Sequence, residues 1–399
     1  MSSVQANLRQ YLLVTFNYWA FTLTDGALRM LVILYFHQLG YAPLQIALLF
    51  LFYEFFGVVT NLVGGWLGAR LGLNLTMNIG LLLQVVALGM LMLPGEMLSV
   101  PWVMAAQGLS GIAKDLNKMS AKSSIKLFVA DGAEGKLYRW IALLTGSKNA
   151  LKGGGFFLGG LLLSLVGFTT AIGIMAAGLL LVWLASVLTL KKELGKAKNK
   201  PKFNEIFSKS RAVNQLSACR LFLFGSRDVW FVIGLPVYLS STLAWGHSQV
   251  GAFLASWIIG YGVVQSIAPR ITGLGAARVP DGRDALIWAA LLCAVPAVIA
   301  AALSADWNAQ WVLMAGLGLF GALFAINSSL HSYLIVSYAG ADGVSLDVGF
   351  YYMANAMGRL TGTVLSGWLF QAYGLTTCLA VSSLMILVTT LLSAALPRR

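Results

Sequence analysis

KKELGKAKNKPKFNEIFSKSR, residues 191–211, is the longest polar stretch of the chain, with eight basic residues and two acidic ones. On both sides of it the sequence falls into apolar runs of about 20 residues, long enough for each to cross a hydrocarbon core as a helix. The stretch divides these runs six and six. Before it, spans are expected at roughly 11–36, 44–68, 73–93, 100–122, 137–165 and 169–190. After it, they are expected at roughly 213–240, 248–269, 285–304, 309–336, 346–370 and 375–396. The pattern predicts an all-α membrane protein of twelve transmembrane helices in two pseudo-symmetric six-helix bundles. The N-terminal bundle is expected over 1–190, a basic cytoplasmic linker over 191–212, and the C-terminal bundle over 213–399.

Composition agrees with this reading. Of 399 residues 58% are apolar and only 10% charged, with a mean hydropathy of +0.80. These values exclude a soluble enzyme, a disordered chain and a disulfide scaffold. The formal charge of +13 would suggest nucleic acid in a soluble protein. Here the basic residues sort by loop, so no nucleic-acid partner is expected. The loops after spans 1, 3, 5, 7, 9 and 11 hold Glu96 and Asp306 and no Lys or Arg. The opposite side holds Arg9, Arg70, Lys126, Lys136, Arg139, Arg270, Arg278, Arg283, Arg398 and Arg399. Because basic loops stay in the cytoplasm, both termini are expected there.

Other chemistry is not encoded. Cys219, Cys293 and Cys378 all fall in apolar runs, so neither a disulfide framework nor a metal site is expected. The first run carries charges and lacks a small-residue cleavage site, and so reads as a span, not a cleaved leader. There is no phosphate-binding Gly-x-x-x-x-Gly-Lys-Ser/Thr loop and no hydrolase motif, so a non-enzyme without a cofactor is expected. Gly316-Leu-Gly-Leu-Phe-Gly321 matches a dinucleotide pattern, but it lies inside an apolar span with no strand before it.

The halves repeat weakly. TDGALRMLVILYF in span 1 parallels SRDVWFVIGLPVYL in span 7, with ten residues from Asp25 to Tyr35 and ten from Asp228 to Tyr238. A single offset of 207 sets Lys152 against Arg359, Gly155 against Gly362, Gly160 against Gly367 and Gly167 against Gly374. Two six-helix halves joined by a cytoplasmic linker resemble the major facilitator superfamily of secondary transporters. GGWLGARLGLN (Gly64–Asn74) is similar to that superfamily's signature Gly-x-Leu-x-Asp-Arg-x-Gly-Arg-Arg between helices 2 and 3. Gly65, Leu67, Arg70 and Gly72 match it, while Ala69 replaces the Asp and Leu73 and Asn74 replace the basic pair. GGFFLGG (Gly154–Gly160) is similar to the exporter signature Gly-Pro-x-x-Gly-Gly, with Phe156 in place of Pro.

Within the superfamily the chain most resembles the organoarsenical efflux permease family (ArsJ type). The stretches that carry the resemblance are NYWAFTLTDGALRM, FYEFFGVVTNLVGGWLGARLG, SGIAKDLNKMSAKSSIK, LTGSKNALKGGGFFLGG and RLFLFGSRDVWFV. It implies export of 1-arseno-3-phosphoglycerate, the unstable product formed when a glyceraldehyde-3-phosphate dehydrogenase accepts arsenate. It also implies a functional link to that dehydrogenase, arsenate resistance, and a monomer in a bacterial inner (cytoplasmic) membrane. The alternative is a major facilitator carrier for another organic anion, either a phosphate-ester antiporter or an uptake system.

Charged residues inside the spans are the functional candidates, because each costs a few kcal/mol or more to place in a bilayer. Eight are basic (Arg29, Lys114, Lys118, Lys148, Lys152, Arg220, Arg227 and Arg359) and four acidic (Asp25, Glu54, Asp115 and Asp228). A surplus of cations facing a water-filled cavity selects anions. Lys114, Lys118 and Lys122 repeat every four residues and share a helix face, as do Lys148 and Lys152. Arginine forks suit phosphate, arsenate or carboxylate. The expected substrate site is therefore Arg29, Lys114, Lys118, Lys148, Lys152, Arg227 and Arg359, with Arg220 structural. Lys118 and Lys122 have a second reading, reaching out to lipid headgroups. Proton coupling is expected first at Glu54, alone among aromatic residues, then at Asp25 and Asp228. Two structural alternatives stay open: a Glu54 salt bridge to a lysine of span 4 or 5, and an Asp25–Arg29 pair. Arg227 and Asp228, as consecutive helix residues, are expected to face apart. His331, which parallels Lys122, reads as a packing residue or a proton relay.

Overall fold

The computed structural model describes the chain except residues 1–2, 42–45, 47, 130–131, 191–193, 198–209, 246, 275–277, 341–342 and 399. Most of the basic linker and Arg399 thus lie outside the described residues. The first half contains α1 (Ser3–Gln38), α2 (Leu51–Leu71), α3 (Leu73–Met90), α4 (Val100–Phe128), α5 (Glu134–Val166) and α6 (Phe168–Thr189). The second contains α7 (Arg211–Phe231), α8 (Gly234–Ser241), α9 (His247–Thr272), α10 (Gly282–Ser304), α11 (Ala309–Tyr338) and α12 (Val344–Ser393).

Nine helical stretches among the described residues are long and apolar enough to cross a membrane. α7 and α8 together form one of them, and the fifty-residue α12 counts as one although its backbone breaks at Gly374. α2 and α4 are not among the nine. α4 carries Lys114, Asp115, Lys118 and Lys122, and it is buried along most of its length between α2, α3 and α1. Packing inside the protein replaces lipid around this helix, so its charges find protein partners. Elsewhere large apolar side chains face outward, among them Leu188, Phe157, Leu165 and Trp311, as a hydrocarbon solvent requires.

Two breaks have local causes. Expected span 7 is interrupted at Val232 and Ile233 because Pro236 has no N–H to give to the carbonyl four residues back. The exposed donors are taken up by Ser366, whose Oγ accepts the N–H of Ile233 at 3.3 Å and of Gly234 at 3.1 Å. α4 runs on to Phe128, beyond the expected end near residue 122, and so carries Lys122 and Lys126 within the helix.

The chain forms two compact units. One comprises 1–133, 147–208 and 339–353; the other comprises 134–146, 209–338 and 354–399. The segments taken from the opposite half, the starts of α5 and α12, correspond under the offset of 207. The core of the second unit is aromatic: Trp230 meets Trp257 and Phe320 edge-on at 6.0 and 5.0 Å, and Phe320 stacks on Phe324.

The glycine pairs of the repeat occupy matching geometry. A Cβ on Gly155 would lie 2.6 Å from the Leu23 carbonyl oxygen of α1, and one on Gly362 would lie 2.7 Å from the Gly225 carbonyl oxygen of α7. Both are backbone-to-backbone crossings that only glycine permits. Gly167 and Gly374, at φ 76° and 80°, each end one long helix and start the next.

Candidate functional site

In the first unit the α1–α5 crossing brings Lys152 beside the residue that follows Asp25, since a Cβ on Gly26 would lie 2.8 Å from the Lys152 carbonyl oxygen. Asp25 is 5% exposed. The Tyr53 hydroxyl of α2 donates to its two oxygens at 2.8 and 2.9 Å. One turn along α1, Arg29 reaches Glu54 at 3.2 Å. Its guanidinium also lies 5.0 Å from the Phe50 ring centroid and 5.1 Å from that of Tyr53. Lys114 of α4 stands over the same Tyr53 ring at 3.7 Å. Tyr53 is therefore the hub: its hydroxyl serves Asp25 and its ring serves two cations, attracted by the negative face of the π system.

This arrangement bears on the two open pairings. Asp25 and Arg29 do not pair with each other; each reaches across to α2. Glu54 is paired with Arg29 of α1.

Asp115 of α4 is fully buried and lies between two cations, Lys114 at 3.9 Å and Lys118 in a close ion pair. Lys118 and Lys122 both sit 4.7 Å from the Tyr352 ring centroid, and Lys122 donates to the Tyr352 hydroxyl. Lys126 donates to the Ala339 carbonyl. Lys122 is buried, so it does not reach out to headgroups. On α5, Lys148 donates to Asn149 at 3.2 Å and Lys152 approaches the Phe156 ring at 5.9 Å.

In the second unit Asp228 is likewise shared by two cations. Arg227 contacts one carboxylate oxygen through Nε at 2.6 Å and Nη2 at 2.5 Å. Arg359 reaches the other through Nε at 3.4 Å. The expectation that Arg227 and Asp228 face apart is corrected. Helix spacing sets their Cβ directions, but the long arginine stem folds back far enough to close the pair. Arg227 also lies 5.0 Å from the Phe224 ring and 5.5 Å from that of Phe324. Arg220 is buried, 3.8 Å from the Phe224 ring centroid of this aromatic cluster. It donates to Asn355 Oδ1 at 2.9 Å and Ser328 Oγ at 3.2 Å. His331 is fully buried, with no hydrogen-bond partner at either ring nitrogen among the described residues.

Tyr53, Phe224 and Asn355 were absent from the candidates read from the sequence. Aromatic residues in an apolar run read as packing, and only the neighbouring charges reveal their second use. No group of three or more metal-binding side chains occurs among the described residues.

A helical membrane protein with breaks at repeat-related glycines and buried ion clusters in both units has the architecture of a secondary carrier. The Major Facilitator Superfamily model matches residues 12–272, and the chain belongs to this family. It is a multi-pass membrane protein, and the family's proteins are transporters of small solutes, not enzymes. No curated protein sequence matches it. Similar solved structures include the human organic anion transporter MFSD10 (TETRAN), at 16% identity and a TM-score of 0.76, covering 97% of this chain and 99% of that one. A bacterial homologue of the iron transporter ferroportin, in an outward-facing state, has 13% identity and a TM-score of 0.78, covering 96% and 98%. A variant of the E. coli fucose:proton symporter FucP has 11% identity and a TM-score of 0.75, covering 97% and 98%. At these identities the likeness concerns the fold.

Proposed function

We propose that the chain is a secondary active efflux carrier for a multi-anionic organic phosphate or arsenate ester. The substrate we assign is 1-arseno-3-phosphoglycerate, delivered by a glyceraldehyde-3-phosphate dehydrogenase that has accepted arsenate. The carrier works by alternating access as a monomer in a bacterial inner membrane, with both termini in the cytoplasm, and so confers arsenate resistance. One observation supports an anionic cargo above others: each of two buried carboxylates is shared by two cations, Asp115 by Lys114 and Lys118, and Asp228 by Arg227 and Arg359. Both carboxylates thus lie in cationic surroundings, which suit an anionic cargo. Arg29, Lys148 and Lys152 are assigned to the same anion path.

The coupling proton is assigned to Asp25 ahead of Glu54 and Asp228. Glu54 meets Arg29 and Asp228 meets two arginines, so a proton on either acid would leave a cation uncompensated. Asp25 is buried against a neutral phenol, which can serve the carboxylate and, with its own oxygen accepting, the acid.

The test is arsenate tolerance in cells that express the dehydrogenase with the carrier, followed by uptake of the arsenate-labelled ester into everted vesicles. Tolerance is expected only when both proteins are present, and uptake should fall at least about tenfold in Lys152→Ala and Arg359→Ala, each removing charge-assisted contacts. Unchanged uptake in both variants removes these residues from the site. Uptake of phosphate esters without any arsenate effect would favour the alternative anion carrier. Asp25→Asn should abolish accumulation driven by a proton gradient while leaving substrate exchange in place; loss of both equally would move the proton elsewhere.

A further inference from the structure

The second unit holds a cavity of about 560 Å³ at the start of α10, lined by Arg278, Asp281, Arg283, Ile287 and Arg398. The two acids at this helix start are occupied in building it. Asp284 pairs with Arg278 through two bonds, at 3.0 and 2.5 Å, and accepts the Asp281 N–H at 3.0 Å. Asp281 caps the helix by accepting the Arg283 N–H at 2.8 Å. Both carboxylates are buried. The Arg283 guanidinium has no ion-pair or hydrogen-bond partner among the described residues.

Arg398 is delivered to the same place by a fixed chain end. The Pro397 carbonyl accepts the Gly282 N–H at 2.9 Å and the Tyr338 hydroxyl at 3.2 Å. A Cβ on Gly282 would lie 2.7 Å from that carbonyl oxygen, so the terminus is seated against the helix with no space to spare. One turn into the helix, Ile287 is 44% exposed and continues the cavity wall with an apolar surface.

Arginines and an exposed isoleucine lining one cavity match a ligand with an anionic phosphate joined to an acyl chain. The loop belongs to the basic set that sequence charge assigns to the cytoplasmic interface, where basic pockets between helices receive anionic headgroups. We propose that this cavity binds the glycerophosphate headgroup of an anionic membrane phospholipid, with Arg283 and Arg398 on the phosphate and Ile287 against the first methylenes. A free phosphate would meet the same guanidiniums but leave the apolar wall and most of the volume unused.

The test is native mass spectrometry and thermal unfolding of the full chain in mixed micelles with phosphatidylglycerol, with phosphatidylcholine, or with inorganic phosphate in place of the anionic lipid. Phosphatidylglycerol should be retained and should raise the unfolding temperature. Phosphatidylcholine, and inorganic phosphate at equal concentration, should do neither. The exposed Arg398→Gln should weaken phosphatidylglycerol retention about tenfold, and Arg283→Gln with Arg398→Gln should abolish selectivity over phosphatidylcholine. Should the double variant fail to fold, the Arg398→Gln comparison and the three-ligand series on the native chain decide the matter. Equal retention of the two lipids by the native chain, full retention by Arg398→Gln, or an equal shift with inorganic phosphate overturns the proposal.

Discussion

At the α1–α5 crossing Asp25 meets a phenol, whereas at the α7–α12 crossing Asp228 lies between two guanidiniums. The backbones are alike: Gly155 and Gly362 press equally close to the first helix of their halves. The side chains have diverged. Asp228 has two arginine partners, whereas Asp25 accepts from one hydroxyl. The two crossings thus share a backbone geometry and differ in the charges around the acid.

The most severe way to break this comparison is to neutralise the acids one at a time. Asp228→Asn should destabilise the protein by about 3 kcal/mol, because Arg227 and Arg359 lose the carboxylate between them. Asp25→Asn should cost under about 1 kcal/mol, since Tyr53 can still donate to the amide oxygen. Thermal unfolding of the purified variants measures both, and equal losses would mean that the two acids are equivalent. The scaffold itself gives the next effect. Gly155→Leu and Gly362→Leu should each cost at least about 1–3 kcal/mol through overpacking, and the losses should match; a large difference in the same assay would deny that the crossings are related. The last comparison sharpens the role of the hub. Tyr53→Phe removes the hydroxyl from the buried Asp25 carboxylate but keeps the ring under Lys114 and Arg29, so it should cost about 1–3 kcal/mol. Tyr53→Leu should add about 0.5–1 kcal/mol for each lost ring contact, and no difference between the two variants would show that the cations gain nothing from the ring.

Much of the fold was legible because span length is intrinsic to apolar runs. The all-helical membrane fold and the glycine repeat follow from patterns that do not depend on tertiary partners. The break at Val232 and Ile233 was also within reach, since Pro236 sits four residues beyond the interrupted carbonyl. Pairings were harder to read. Arg227 reaches Asp228 through stem flexibility that helical spacing does not encode. Arg29 of α1 meets Glu54 of α2 across 25 residues of sequence, a separation no helical period encodes. Lys118 and Lys122 of α4 share a partner, Tyr352, that lies 230 residues beyond Lys122 in the chain, and no local pattern points there. Charge type was therefore readable and charge partner was not.

The burial of α4 also bears on how this protein is made. A helix with Lys114, Asp115, Lys118 and Lys122 in its central and later turns would carry several penalties of about 2.5–3.5 kcal/mol each if it entered the bilayer alone. The side of the helix that meets Gly80 of α3 is the one with Ala113, Leu116 and Asn117. The charged groups meet Tyr53 of α2 and Tyr352 of α12 instead. The charged face thus takes one partner from a helix made before it and another from a helix made long after it.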